Sequence, residues 1–213
     1  MRITVFGAAG SVGSRVVAEA LERGHEVRAV VRRESQFGEL PDEAEHQLGD
    51  ASKVDDVSSL SAGQDVVVSA TRPAPGREAD LVETTKALLA GVRGQSARLV
   101  IVGGAASLKL PGTGGKRVLD DPSLVPPAWQ PIAQACSEQL AVCREEAEVD
   151  WTYLSPPAFL ESGPRLGVYR VGDDELIVDA EGLSRISVPD LASALMDEVE
   201  QPSHQRGRFT AGY

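Results

Sequence analysis

The sequence predicts an α/β fold in which a doubly wound parallel sheet lies between two layers of helices. Short runs rich in Val, Ile and Leu alternate with segments of helical periodicity along most of the chain. These apolar runs are continuous, as expected of strands that are covered on both faces. The first strand, turn, helix and second strand follow one another within about 30 residues, the length of one βαβ unit.

Each element is justified by its own pattern. The predicted strands are residues 2–6, 26–31, 46–50, 65–70, 98–102 and 150–154, with an edge strand at 208–210 and a small ribbon that pairs 169–171 with 175–178. A long helix has Trp129, Ile132, Ala133, Cys136 and Leu140 on one face, which predicts core positions. A last helix opens at Ser187, with Pro189 in its first turn.

The composition is that of an ordinary globular protein. The 213 residues are 42% hydrophobic and 25% charged. A formal net charge of -11 argues against partners that are nucleic acids or anionic membranes. No apolar run has the length of a membrane span, and the chain enters a strand directly, which leaves no room for a signal peptide. We therefore expect a cytoplasmic location.

The cysteines and histidines indicate neither a disulfide nor a metal site. Cys136 and Cys143 lie on one predicted helix, about 10 Å apart, which is too far for a disulfide. The three histidines are scattered, and no Cys and His residues have zinc-site spacing.

Glycines fill the turn between the first strand and the first helix. Gly7, Gly10 and Gly13 form a GxxGxxG pattern. Gly7 allows a tight turn, Gly10 lets a phosphate approach the backbone, and Gly13 lets the helix pack closely on the strand. Because the N–H groups and the dipole of a helix N-terminus favour anions, the pattern predicts a dinucleotide site.

The end of the second strand favours NADP over NAD. Arg32 and Arg33 follow this strand, where arginine accommodates a 2′-phosphate and an acidic residue would hold a free ribose 2′-hydroxyl. Glu34 nearby keeps NAD open as the alternative. Asp50 and Ala51 follow the third strand, on the predicted adenine side, and Asp50 is also suited to cap the next helix. Residues 103–131 are rich in Gly and Pro, which predicts a mobile flap over a substrate.

These residues together resemble those of a known family. The chain resembles the atypical short-chain dehydrogenase/reductase proteins, in the NAD(P)H-binding group close to NmrA-like proteins and to flavin and biliverdin reductases. The segments that carry the resemblance are Val5–Gly13, Val30–Arg33, Val102–Ser107, Trp151–Pro157 and Ile186–Ala192. It covers essentially the whole chain. It implies a single Rossmann-like domain over 1–213, with a small C-terminal substrate-side region at about 156–187.

The resemblance also implies a set of cofactor-binding residues. Those near the diphosphate and its ribose would be Gly7, Ala9, Gly10, Ser11, Val12 and Gly13, with Arg32 and Arg33 at the 2′-phosphate and Asp50 and Ala51 at the adenine. Ala70 and Thr71 would line the middle of the cofactor, Gly103 and Gly104 would approach the nicotinamide ribose, and Ser155, Pro156 and Pro157 would back the nicotinamide ring.

One departure from the family concerns the proton relay. Typical family dehydrogenases use a Tyr-x-x-x-Lys pair, in which the lysine lowers the tyrosine pKa. Pro157 follows Tyr153 at that spacing, Asp173 follows Tyr169, and the chain ends at Tyr213. We therefore expect a reductase that passes a hydride to a small-molecule acceptor such as a flavin or quinone, which takes its proton from solvent.

Two other functions stay open. A non-catalytic NADP(H)-binding redox sensor of the NmrA-like kind fits the missing relay equally well, whereas an epimerase or dehydratase would ordinarily employ the absent pair. For a reductase, Ser107 and Gln134 are the side chains predicted to orient a substrate. The sequence leaves the substrate open, and it does not distinguish a monomer from a homodimer.

Overall fold

A computed structural model describes all residues from Met1 to Tyr213. The strands are β1 (Arg2–Phe6), β2 (Glu26–Val31), β3 (Glu45–Leu48), β4 (Val66–Ser69), β5 (Arg98–Val102), β6 (Trp151–Ser155), β7 (Phe159–Glu161), β8 (Arg170–Gly172), β9 (Arg185–Ser187) and β10 (Gly207–Gly212). The α-helices are α1 (Ser11–Glu22), α2 (Val54–Ser61), α3 (Asp80–Val92), α4 (Gln130–Glu145) and α5 (Val188–Glu200).

The central sheet has eight strands in the order β3-β2-β1-β4-β5-β6-β10-β8. All neighbouring strands from β3 to β10 are parallel. The strand order reverses between β1 and β4, because the chain first builds outward to β3 and then returns to the other side of β1. The predicted doubly wound α/β fold is confirmed, and the reversal opens a crevice at the carboxyl ends of β1 and β4.

Each face of the sheet has its own hydrophobic core. One core packs β1 and β2 against α1 and α5 and includes Val5, Val17 and Leu195. The other packs the opposite face against α2, α3 and α4 and includes Phe6, Leu88 and Leu140. Because helices cover both faces of the sheet, every residue of a strand such as β4 is buried.

The C-terminal strands differ from the prediction. The edge strand expected at 208–210 lies inside the sheet, where β10 pairs in parallel with β6 and antiparallel with β8. The predicted ribbon is wrong, because residues 170–172 pair with β10 and Glu175 bridges Lys109 instead. Two contacts of Asp174 explain why the chain after β8 turns towards Lys109. The Asp174 carbonyl oxygen accepts from the Lys109 N–H at 2.8 Å, and the Asp174 carboxylate pairs with Arg208. Strands β7 and β9 form a separate parallel pair.

The segment 103–131 packs a small core of its own. Leu108, Val118, Val125 and Leu176 are buried together in a third hydrophobic cluster. This cluster fixes the segment beside the carboxyl ends of β5 and β6. No helix of the protein combines the length and the apolar character that crossing a membrane requires.

Candidate functional site

The turn after β1 needs glycine for two different reasons. Gly7 has φ +81°, and a Cβ there would lie 2.7 Å from the Ala70 carbonyl oxygen. A Cβ on Gly13 would lie only 2.0 Å from the Gly7 carbonyl oxygen, so α1 can approach β1 only with glycine at this position. Both predicted roles are confirmed. Gly10 donates its N–H to the Gly7 oxygen at 2.9 Å and closes the turn.

The first turn of α1 presents free donors. The N–H groups of Ser11, Val12 and Gly13 have no acceptor within the protein, and the N-cap residue Gly10 supplies no side-chain cap. No acidic side chain occupies this turn either. Unpaired N–H groups at a helix N-terminus, together with the helix dipole, attract an anion, so the turn fits a diphosphate.

Two unpaired arginines lie beside this turn, at the end of β2. Arg32 and Arg33 are exposed, and neither forms an ion pair, whereas Arg28 within β2 pairs with Glu45 at 2.9 Å. Guanidinium groups bind phosphate oxygens through two parallel hydrogen bonds. The end of β2 can therefore hold a phosphate ester.

Asp50 lies on the same side of the site. It accepts hydrogen bonds from the Ser52 N–H at 3.0 Å and the Ser52 hydroxyl at 2.8 Å. Burial raises the pKa of Asp50, but the Ser52 bonds and the nearby charge of Arg32 outweigh it and lower the pKa overall. The predicted helix cap is wrong, because α2 begins later, with Lys53 as its N-cap residue. The Ala51 side chain is buried in the core.

A cavity of about 370 Å³ continues the crevice on the other side of the turn. Fifteen of its 23 lining residues are hydrophobic, and a volume of this size suits a small ligand. Seven residues predicted to bind the cofactor line it, namely Val12, Ala70, Thr71, Gly103, Gly104, Pro156 and Pro157. The structure thus brings the carboxyl ends of β4, β5 and β6 together around one cavity. Ser155 stays apart, fully buried, with no partner for its hydroxyl.

The wall behind the cavity is held by Tyr153. Its hydroxyl accepts from the Gly104 N–H at 3.2 Å and lies 3.0 Å from both the Cys136 carbonyl oxygen and Gln139 Oε1. A Cβ on Gly103 would lie 1.8 Å from the Tyr153 ring, so this tyrosine accounts for glycine at position 103. Burial raises the pKa of Tyr153 well above its usual value. The side chain is built to shape the wall, not to exchange a proton.

Tyr153→Phe tests this structural role. Removing the hydroxyl leaves the Gly104 N–H without an acceptor, and we expect unfolding in urea to show a loss of about 1–3 kcal/mol. The pH profile of any turnover should keep its shape. A collapse of turnover with a new pH dependence, at unchanged stability, would instead identify Tyr153 as a proton donor.

The two side chains predicted to orient a substrate do not line the cavity. Ser107 Oγ accepts from Arg208 Nη1 at 2.9 Å and ties the segment after β5 to β10. Gln134 is exposed on α4 and donates to Glu138 Oε1 at 2.9 Å, one helical turn away. This geometry gives neither residue a contact with a ligand in the cavity.

The cavity holds no group suited to proton transfer near neutral pH. Its polar side chains include Thr71, Cys136 and Gln139. Burial raises the pKa of Cys136 to about 11, although the charge of Arg72 acts in the opposite direction. The hydroxyls of Tyr169 and Tyr213 bond to Asp197 and Asp190, away from the cavity. No three Cys, His, Asp or Glu side chains come together as metal ligands either.

Sequence reasoning predicted only seven of the 23 lining residues, and those that it missed include Arg72 and Trp129. Arg72 lies in the loop after β4, which the sequence marks only as rigid and proline-rich. The apolar pattern predicts a core position for Trp129 on the face of the long helix, but Trp129 precedes α4 and is 55% exposed where it lines the cavity. The prolines at 126 and 127 signal that the helix starts later than the apolar pattern does.

Comparison with known proteins agrees with this geometry. A family model described as NAD(P)H-binding matches residues 7–202. The uncharacterized protein YwnB of Bacillus subtilis is 38% identical over 216 residues, which span 99% of this chain and 97% of YwnB.

Two of the solved structures that match this chain over its whole length illustrate the likeness. A candidate epimerase from Bacteroides thetaiotaomicron has a TM-score of 0.89 at 38% identity and is itself covered over 96% of its length. A candidate NADH-flavin reductase, SP1627 of Streptococcus pneumoniae, has a TM-score of 0.86 at 29% identity and is covered over 99%.

Proposed function

The chain belongs to the NAD(P)H-binding family of atypical short-chain dehydrogenase/reductase proteins, and from that premise we propose that it is an NADP(H)-dependent reductase of a flavin, a quinone or a similar hydride acceptor. One observation carries the proposal: the largely apolar cavity beside the glycine-rich turn contains no side chain suited to proton transfer near neutral pH. An acceptor that takes its proton from solvent needs only to be oriented and shielded from water there.

The reaction has a simple balance. A reduced nicotinamide held there would supply a hydride, that is both electrons and one proton, to the acceptor, and solvent would supply the second proton. The chain would hold the diphosphate on the N–H groups of Ser11 to Gly13 and the nicotinamide end between Gly103–Gly104 and Pro156–Pro157. The buried wall behind Gly104 would keep that end in place.

The preference for NADP rests on charge. Arg32 and Arg33 are both exposed and without an acidic partner, so a 2′-phosphate would meet two free guanidinium groups. Tight binding of NAD would favour an acidic residue at this position, which accepts a hydrogen bond from the free ribose 2′-hydroxyl. Arginines stand at positions 32 and 33 instead.

A regulatory function is the second candidate. Leu166, Val168 and Val171, which are 59%, 77% and 54% exposed on or near β8, are the side chains that would contact a protein partner. In that case NADP(H) would bind without turnover. An epimerase or dehydratase has less support, since none of the three tyrosines offers a hydroxyl to the cavity.

Steady-state oxidation of NADPH tests the reductase proposal. We expect oxidation that saturates with FMN or menadione, well above the rate without protein, measured by the absorbance of the reduced nicotinamide. Heat-inactivated protein gives the background. Tight NADPH binding with no acceptor-dependent oxidation would contradict the reductase and support the regulator.

A further inference from the structure

We propose that Arg72 and Trp129 select acceptors that carry a negative charge beside a planar aromatic ring, so that a phosphorylated flavin is preferred over the same ring without phosphate. This inference rests on the proposed function, because it names the class of molecule that the same cavity would accept. Arg72 would bind the anionic group and Trp129 would stack on the ring.

Arg72 is the only charged residue that lines the cavity. It is exposed and forms no ion pair, although the chain carries 32 acidic residues and a net charge of -11. The nearby Glu78 carboxylate accepts instead from the Gly76 N–H at 2.9 Å. Arg77, in the same loop, is paired with Asp80 at 2.6 Å and stays outside the cavity. Arg72 is thus the one charged side chain, without an ion pair, at a mostly apolar site.

The charge of Arg72 also reaches the cavity floor. It acts to lower the pKa of the Cys136 thiol, which burial raises. Cys136 lies on α4 and lines the same cavity as the loop after β4. A guanidinium whose field crosses the cavity is placed to attract the anionic part of a ligand bound there.

Trp129 offers the aromatic surface. Its ring is 55% exposed while lining the cavity, and its indole N–H has no partner within the chain. Trp151 is the contrast, since it is buried and donates to the Glu146 carbonyl oxygen at 3.2 Å. Pro126 and Pro127 stiffen the backbone before Trp129, which reduces the ordering cost of stacking. An exposed indole held this way is a platform for a flat ligand.

The competing role for Arg72 is a contact with the cofactor. It follows Thr71 at the end of β4, next to the turn predicted to hold the diphosphate. A cofactor contact predicts weaker NADPH binding when Arg72 is replaced, whereas our proposal predicts a change in the preference between acceptors. The two roles are therefore separable by measurement.

The experiment compares FMN with riboflavin, which share one ring system and differ by the phosphate. Both are titrated by flavin fluorescence into protein saturated with NADP⁺, so that no turnover occurs. We expect FMN to bind about tenfold more tightly than riboflavin at low salt, with the ratio falling as salt rises. In Arg72→Gln the two affinities should agree within about twofold, and NADPH affinity should stay unchanged.

Three further variants sharpen the result. Arg77→Gln removes a cation from the same loop outside the cavity and should keep the wild-type ratio, and Arg72→Lys should keep most of it. Trp129→Ala should weaken both flavins by the same factor of about five to ten, which leaves the FMN to riboflavin ratio intact.

A wild-type ratio near one, or an unchanged ratio in Arg72→Gln, would overturn the proposal. Loss of NADPH affinity in Arg72→Gln with the ratio preserved would assign Arg72 to the cofactor. An FMN preference that depends on Arg72, in a protein that never oxidises NADPH, would refute the reductase while leaving this anion-selective site in place.

Discussion

Replacing both Arg32 and Arg33 by glutamine should weaken NADPH binding about 30-fold, roughly 2 kcal/mol, and leave NADH binding within about twofold. Both side chains are exposed, so solvent screening keeps the effect below that of two buried phosphate contacts. Isothermal titration with the two reduced nucleotides measures both affinities on one protein.

Arg2→Gln is the matched control for this double variant. Arg2 is also exposed, and it pairs loosely with Asp65 at the opposite end of β1. We expect it to leave both affinities unchanged. If NADPH and NADH weakened equally in the double variant, the arginines would contribute general attraction and would not read the 2′-phosphate.

Gly10→Ala should weaken NADPH binding at least about tenfold and lower the free energy of unfolding by about 1 kcal/mol, since glycine is preferred over alanine at the N-cap of a helix. Gly10 has an ordinary negative φ, but its Cβ would lie 3.1 Å from the Gly7 oxygen, so the backbone of the turn must move by a few tenths of an ångström. The methyl group would stand where the diphosphate approaches the backbone. Cofactor titration together with thermal unfolding separates the two effects.

Two further variants are compared with Gly10→Ala: Gly13→Ala, which should also destabilise the fold, and Gly163→Ala, which is the neutral control. At Gly13 the Cβ would lie 2.0 Å from a backbone oxygen, so we expect a loss of about 3 kcal/mol in stability as well as weaker binding. At exposed Gly163 the added Cβ makes only an ordinary contact at 3.6 Å, and nothing should change. If Gly10→Ala bound NADPH with wild-type affinity, the prediction that the diphosphate binds at this turn would be wrong.

The central sheet could be predicted from the sequence because its signals are local. Apart from β3, whose sequence is Glu-His-Gln-Leu, each strand from β1 to β6 is a short run dominated by apolar residues, and a glycine-rich turn after the first identifies the βαβ unit. Parallel strands end at a common edge, so the cluster of Gly7, Ala70, Gly103 and Pro156 follows from the topology alone.

The C-terminal third could not be predicted in the same way, because its pairings are distant along the chain. β8 pairs with β10 across a segment that contains α5, and β7 pairs with β9. Three-residue strands have too little periodicity to identify their partners. Two long-range contacts of Asp174, to Lys109 and Arg208, decide the path instead.

The side chains that would contact a substrate could not be predicted from the sequence for a related reason. Ser107 and Gln134 follow strand ends or helix starts where substrate contacts are common, yet their side chains bond to Arg208 and Glu138. Arg72 and Trp129 face the cavity because of how a loop and a short helical turn are oriented, which residue type and spacing do not encode.

The most direct test of the dinucleotide site follows the backbone amides of the protein by NMR while NADP⁺ is added. We expect saturable changes in amide chemical shift that are largest at Ser11, Val12 and Gly13, because their N–H groups have no acceptor in the protein. Further changes are expected at Gly103 and Gly104. Amide signals of the α1 turn that stay unmoved at millimolar NADP⁺ and NAD⁺ would contradict it.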